Sequence, residues 1–213
     1  MKQLAERIKP YFQLLRIGNL LFIAILLYVM EKWVATPLLQ LAQFYEQMPW
    51  WVLTLLIMST ICIAAGGYII NDYFDVKIDR INHPEDLVVT RYISREGAMR
   101  LFQVLTILGV IMGLVVAWWA RSWTLVMIFI VIPGLLWFYS ASYKRQLSIG
   151  NIVVAFISAI VPLLVAIANA DYLCHLYQEN LVYSPIVGQL YVWTSGFSLF
   201  AFLITLAREM VKD

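Results

Sequence analysis

The stretch Asn71-Asp72-Tyr73-Phe74-Asp75-Val76-Lys77-Ile78-Asp79 directly follows an apolar segment that is long enough to cross a membrane. Carboxylates are costly near hydrocarbon, so an acidic cluster at such a position indicates a function or a counter-ion. On a helix that turns about 100° per residue, Asp72, Asp75 and Asp79 fall within roughly 60° of one another. Three mutually repelling oxygen donors on one face favour a hard divalent cation such as Mg²⁺, which bridges carboxylates to substrate phosphates.

The composition is that of an integral membrane protein. The chain has 213 residues, of which 62% are hydrophobic and 13% charged, and its mean hydropathy is +0.81. Soluble domains carry about 25% charged residues. We therefore expect the lipid bilayer to be a partner of this chain, and the small net charge of +2 gives no indication of a nucleic-acid partner.

Six segments are long and apolar enough to span a bilayer as helices. They cover residues 14–33, 51–71, 98–120, 123–142, 149–169 and 188–207. The pattern predicts an all-α fold, a polytopic membrane helix bundle in which residues 1–213 form a single transmembrane domain. Cys174 and His175 are expected in an external loop over 170–187. Neither His83 nor His175 has metal-ligand spacing to another histidine or cysteine, and Cys62 and Cys174 indicate no disulfide framework or cysteine-based metal site.

The basic residues are strongly segregated between alternate loops. Of the 15 lysines and arginines, only Lys32 and Arg121 fall on the side opposite to the aspartate cluster. Because positively charged loops stay in the cytoplasm, we expect the N-terminus and the aspartate cluster to be cytoplasmic, in a cell inner or plasma membrane.

Other polar residues on the same predicted side are candidates for phosphate binding. Lys144 and Arg145 follow the tyrosine Tyr139, and a phenol beside adjacent cations suits diphosphate oxygens, although membrane anchoring alone would explain Arg145. Arg16 and Asn19 lie where the first segment starts; anchoring also explains Arg16, whereas an amide at the position of Asn19 needs a partner inside the bundle. Next to the aspartates, Gly66 and Gly67 would let another helix approach closely.

At these residues the chain resembles the UbiA-type intramembrane prenyltransferase family. The family signature N-D-x-x-D-x-x-x-D matches Asn71, Asp72, Asp75 and Asp79 without a gap. The element R-x-x-N matches Arg16 and Asn19, and the Tyr-Ser…Lys-Arg element matches Tyr139, Ser140, Lys144 and Arg145. The loop that follows the first signature departs from the family pattern, since Asn82 and Pro84 are kept but an arginine and a second proline are missing.

The resemblance implies a nine-helix fold with a cytoplasm-facing cavity, of which this chain would supply six helices. It also implies two aspartate motifs that hold Mg²⁺ and a prenyl diphosphate. The ligands implied are Asp72, Asp75 and Asp79, with Asp213 as a candidate first acid of the second motif. We therefore expect a truncated chain that covers about two thirds of the usual architecture.

The activity implied is Mg²⁺-dependent transfer of a polyprenyl group from prenyl diphosphate to a hydrophobic or aromatic acceptor, as in quinone, haem or prenyl-lipid biosynthesis. The catalytic residues would be Asp72, Asp75, Asp79 and Lys144. The substrate-binding residues would be Arg16, Asn19, Asn71, Tyr139 and Arg145.

Two other functions are compatible with the sequence. A cation transporter also places acids in membrane segments, but here the acids cluster at one end and not across the midplane. A catalytically inactive membrane fragment is the second alternative. A phosphatidyl-alcohol transferase is disfavoured, because Val76 stands where its motif needs glycine.

Overall fold

The predicted all-α membrane bundle is confirmed. A computed structural model describes residues 10–82, 87–142, 147–177, 181 and 185–212, and no β-strand occurs within these ranges. Six helical runs in them are long and apolar enough to cross a membrane. The helices are α1 (Ile17–Val29), a π-helical segment (Met30–Ala35), α2 (Thr36–Leu41), α3 (Trp50–Asn82), α4 (Arg95–Ala120), α5 (Trp123–Ala141), α6 (Leu147–Tyr177) and α7 (Pro185–Lys212).

Several helices are longer than the sequence predicts. The first spanning run continues through the π-helical segment to Leu41 and not only to 33. The helix α3 includes the aspartate motif, as the angular spacing assumes, and continues to Asn82, beyond the predicted end of the span at 71. The prediction of a loop at Cys174 and His175 was wrong, since both lie on α6. The length of an apolar segment reflects the thickness of the hydrocarbon core. A helix can extend beyond that core, because it ends only where its backbone hydrogen bonds end.

Glycines allow α3 and α4 to pack at close distance. A Cβ atom on Gly66 would lie 2.7 Å from the Thr106 hydroxyl, and one on Gly109 would lie 3.0 Å from the carbonyl oxygen of Ser59. The Ser59 hydroxyl also donates to the carbonyl of Gly109 at 2.7 Å. On its other side α3 meets α5, where a Cβ on Gly67 would lie 3.1 Å from Leu136. The expected close approach at Gly66 and Gly67 is therefore confirmed, and α3 is held between two helices.

A buried carboxylate joins the first spanning run to α6. Glu31 lies in the π-helical segment and has no exposed surface. Its two oxygens accept hydrogen bonds from Asn169 at 2.8 Å and from Thr36 at 3.2 Å. π-Helical turns redirect side chains within a helix. Here the polar groups that would be costly in the membrane satisfy one another.

At the ends of the helices away from the aspartate motif, polar contacts tie neighbouring segments together. Ser122 accepts from the backbone N–H of Leu125 at the start of α5 and donates to Asp171 on α6. The phenol of Tyr177 donates to Glu46 at 2.6 Å, which lowers the pKa of this exposed carboxyl. The connection between α2 and α3 is thus attached to the end of α6.

We expect Gly109→Ala to lower the unfolding free energy by about 1–3 kcal/mol, because the new methyl group overlaps the backbone of α3. The measurement is thermal unfolding of the purified protein in detergent. Gly134→Ala is the matched control, since nothing lies within 4 Å of a Cβ atom there. Equal melting temperatures for the two variants would contradict the close packing of α3 on α4.

Asn169→Leu should destabilise the protein by about 3 kcal/mol, because it leaves the Glu31 carboxylate buried with one donor fewer. Ser198→Ala serves as control, because the buried Ser198 hydroxyl has no hydrogen-bond partner within the described structure. Thermal unfolding compares the two, and a loss as large in Ser198→Ala would show that removing any buried polar group has this effect.

Candidate functional site

A small apolar cluster packs against the part of α3 that carries the aspartate motif. Leu14 is fully buried against Ile69 and Val76 of α3, together with Val88 and Ala98. Leu14 belongs to the N-terminal turn, of which residues 10–15 are described and which precedes α1, and Val88 belongs to the connection between α3 and α4. Burial of these side chains fixes the N-terminal turn and the connection beside the end of α3.

The backbone directs Arg16 towards α3. Arg16 has φ 50° and ψ 53°, the left-handed conformation, and stands between the turn over 10–15 and the start of α1. A residue other than glycine pays about 1–2 kcal/mol for this conformation. Its guanidinium lies 4.9 Å from the centre of the Tyr68 ring, which offsets part of that cost by a cation–π contact.

The motif residues form one connected polar group. Arg16 Nη2 lies 3.3 Å from Asp72 Oδ1, an ion pair with side chains 39% and 25% exposed. Asn71 Nδ2 donates to Asp75 Oδ2 at 3.0 Å and approaches Asp72 Oδ1 at 3.5 Å. Asp75 is buried, so its carboxylate depends on such donors. Arg16, Asn71, Asp72 and Asp75 are thus brought together, as the sequence predicts.

A cleft adjoins this group at Arg16. It has a volume of about 430 Å³ and is lined in part by Arg16, Asn19 and Arg208. Arg208 lies on α7, so residues far apart in the chain bring two guanidinium groups to one cavity. Arg208 is not among the residues predicted from the sequence, because membrane anchoring explains a lone arginine at a helix end. The volume of the cleft falls within the range of roughly 300–1,000 Å³ that is typical of small-molecule pockets.

The donors present fit Mg²⁺ by their chemistry. Asp72 and Asp75 offer carboxylate oxygens one helical turn apart, which is the hard donor type that Mg²⁺ prefers. Among the side chains that the structure describes, no group of three or more His, Cys, Asp or Glu residues is placed to hold a metal. The side chain of Asp79 and the residue Asp213 lie outside that part of the chain.

The remaining predicted site residues are placed in part. Tyr139 is half-buried on α5, the helix that contacts α3 through Leu136. Lys144 and Arg145 lie outside the described residues, and so do residues 83–86 of the loop that follows α3. Their predicted roles in diphosphate binding stay predictions.

The pattern of the UbiA prenyltransferase family matches residues 33–213. The chain belongs to this family. The match includes the aspartate motif and α3 to α7, while Arg16 and Asn19 precede it. The resemblance inferred from the motifs is therefore confirmed over most of the chain.

Among curated proteins, similar chains are named digeranylgeranylglyceryl phosphate synthase. The protein from Ignicoccus hospitalis is 34% identical over 154 residues, which cover 72% of this chain and 45% of that protein. The protein from Sulfurisphaera tokodaii is 29% identical over 209 residues, which cover 96% of this chain and 63% of that protein. The chain thus spans about half to slightly less than two thirds of the length of these relatives.

A solved structure from a study of digeranylgeranylglyceryl phosphate synthase in membranes has the same fold. The TM-score is 0.65 at 24% sequence identity, over 98% of this chain and 63% of that chain. The similarity supports the helix arrangement of this UbiA family chain.

We expect Arg16→Gln to change the melting temperature little, since a half-exposed ion pair contributes under about 1 kcal/mol. Thermal unfolding at low and at high salt measures this. A decrease of several kcal/mol in the unfolding free energy would show that Arg16 has a structural role in holding the N-terminal turn, and would argue against a role in ligand binding.

Proposed function

We propose that this UbiA family protein transfers a prenyl group from a prenyl diphosphate to an acceptor at the membrane surface. The observation that carries the proposal is the position of Arg16, which pairs with Asp72 and at the same time lines the cleft with Asn19 and Arg208. An anion in this cleft would meet two guanidinium groups beside a carboxylate pair.

The donor diphosphate would lie in this cleft. Arg16 and Arg208 bind its oxygens, and the planar guanidinium fork matches two phosphate oxygens at once. Asn19 supplies an amide donor. Tyr139 and the predicted residues Lys144 and Arg145 are proposed to add further donors from the end of α5.

The carboxylates would hold Mg²⁺, with Asp72 and Asp75 as ligands and Asp79 and Asp213 as further candidates. When bound, the ion withdraws charge from the diphosphate and stabilises it as a leaving group. Asn71 keeps Asp75 oriented, because its amide donates to one oxygen of this carboxylate. Arg16 then stabilises charge that develops on the departing diphosphate.

We propose a prenylated glyceryl phosphate lipid as acceptor, in keeping with the names of the similar proteins. In this reaction the acceptor hydroxyl oxygen bonds to the first carbon of the prenyl chain. The bond from that carbon to the diphosphate oxygen breaks, and the hydroxyl proton is released to the medium or to the diphosphate. An aromatic acceptor, such as a quinone precursor, is the alternative within the same reaction class.

We propose that this site lies on the cytoplasmic side of the membrane. The end of α3, the start of α4 and the end of α7 carry arginines, whereas the connections at the other ends are poor in basic residues. Positively charged segments remain on the cytoplasmic side.

The test uses the full chain reconstituted in liposomes with geranylgeranyl diphosphate and Mg²⁺. Separate reactions receive geranylgeranylglyceryl phosphate or a phenolic acceptor, and diphosphate release and product are measured. We expect product with the glyceryl phosphate acceptor. We also expect loss on chelation of Mg²⁺, and a decrease of at least about a hundredfold in Asp72→Asn and Asp75→Asn, since each removes an electrostatic contact to the transition state.

Glu46→Gln is the matched control, because Glu46 is an acid at the other end of the helices, and it should retain activity. Product with only the phenolic acceptor would replace the proposed acceptor but keep the reaction class. Ion flux without any diphosphate release would favour a transporter instead.

A further inference from the structure

A second cleft lies on another face of α3. It has a volume of about 590 Å³ and is lined by Tyr73, Arg95, Glu96, Met99 and Arg100. On an α-helix, Tyr73 points about 100° away from Asp72 and about 160° away from Asp75. This cleft is therefore separate from the proposed active site, although both lie at the same end of α3.

One arginine of the second cleft is held in position by a ring. The guanidinium of Arg95 lies 4.6 Å from the centre of the Tyr73 ring. A cation–π contact restricts the side chain while leaving its N–H groups available as donors. Since less side-chain entropy remains to be lost, such a pre-oriented arginine binds an anion at lower cost.

The charge in the second cleft is positive overall. Two arginines face one acid, and the pair between Arg100 and Glu96 is 3.8 Å long with side chains 74% and 89% exposed. An ion pair so exposed is weak, so Arg100 is readily available to another anion. Guanidinium groups prefer phosphate oxygens, which they bind through two parallel hydrogen bonds.

The position of the second cleft along the spanning helices indicates the source of such an anion. Arg95 is the first residue of the spanning helix α4, so the cleft lies at the boundary between the apolar segment and water. Lipid headgroups occupy this level, and Met99 and the Tyr73 ring offer apolar surface to the glycerol region. Anionic lipids are attracted by arginines at this position.

We propose that the second cleft binds the phosphate of an anionic lipid headgroup. Arg95 and Arg100 are the ligands, and Tyr73 is a positioning residue that holds Arg95. The site acts independently of the prenyl transfer proposed above, since it lies on a different face of α3.

The experiment titrates the full chain in detergent with phosphatidylglycerol and, separately, with phosphatidylcholine, and counts bound lipid by native mass spectrometry. We expect tighter binding of phosphatidylglycerol. The double variant Arg95→Gln with Arg100→Gln should weaken it about thirtyfold, on the basis of two surface arginines. Arg95→Lys keeps the charge but loses the fork, so its binding should be intermediate.

Arg91→Gln is the matched control, because Arg91 also lies over a tyrosine ring, 5.4 Å from the centre of Tyr92, but does not line the second cleft. It should change lipid binding less than threefold. Competition with glycerol 3-phosphate distinguishes a lipid from a soluble ligand. Full displacement of phosphatidylglycerol at a similar concentration would indicate a site for a soluble phosphoester and overturn the proposal, whereas no displacement would support the lipid. Equal binding of both lipids, or an equal loss in Arg91→Gln, would overturn the proposal.

Discussion

The carboxylates at the end of α3 set the main constraint on this structure. Asp75 is buried where a membrane-length helix ends, and Asp72 is three quarters buried. Such groups are tolerated only when donors compensate them. Asn71 donates to Asp75 from the same helix, whereas Asp72 accepts a hydrogen bond from Arg16, which precedes α1. The ion pair thus compensates the charge of Asp72, while the apolar packing of Leu14 holds the N-terminal turn beside α3.

The two ends of the helix bundle compensate the desolvation of their polar groups in different ways. Near the π-helical segment, Glu31, Thr36 and Asn169 satisfy one another and are closed off from solvent. At the aspartate end, the ion pair of Arg16 with Asp72 borders an open cleft and is partly exposed. A closed network stabilises and orients helices, while an open one can exchange its partners for a ligand. This difference supports the assignment of the chemistry to the aspartate end.

Arginine side chains beside tyrosine rings occur on two faces of α3. Arg16 lies over Tyr68, and Arg95 lies over Tyr73. In both cases the ring limits the motion of a long cation without consuming its hydrogen-bond donors. Two oriented cations thus lie on different faces of α3, one beside the carboxylates and one in the second cleft.

The sequence by itself determined the helical class, the six spanning runs, the family and the grouping of Asn71, Asp72 and Asp75. The helical class, the spanning runs and this grouping follow from apolar segment lengths and from the angular spacing of a helix, which are local properties. The family follows from the resemblance of the motifs. Only the tertiary structure decided that Arg208 joins Arg16 at one cleft, that Glu31 meets Asn169, and that α6 continues through Cys174. The reason is physical: these contacts join residues up to 192 positions apart or depend on backbone hydrogen bonding, and neither leaves a periodic signal in composition.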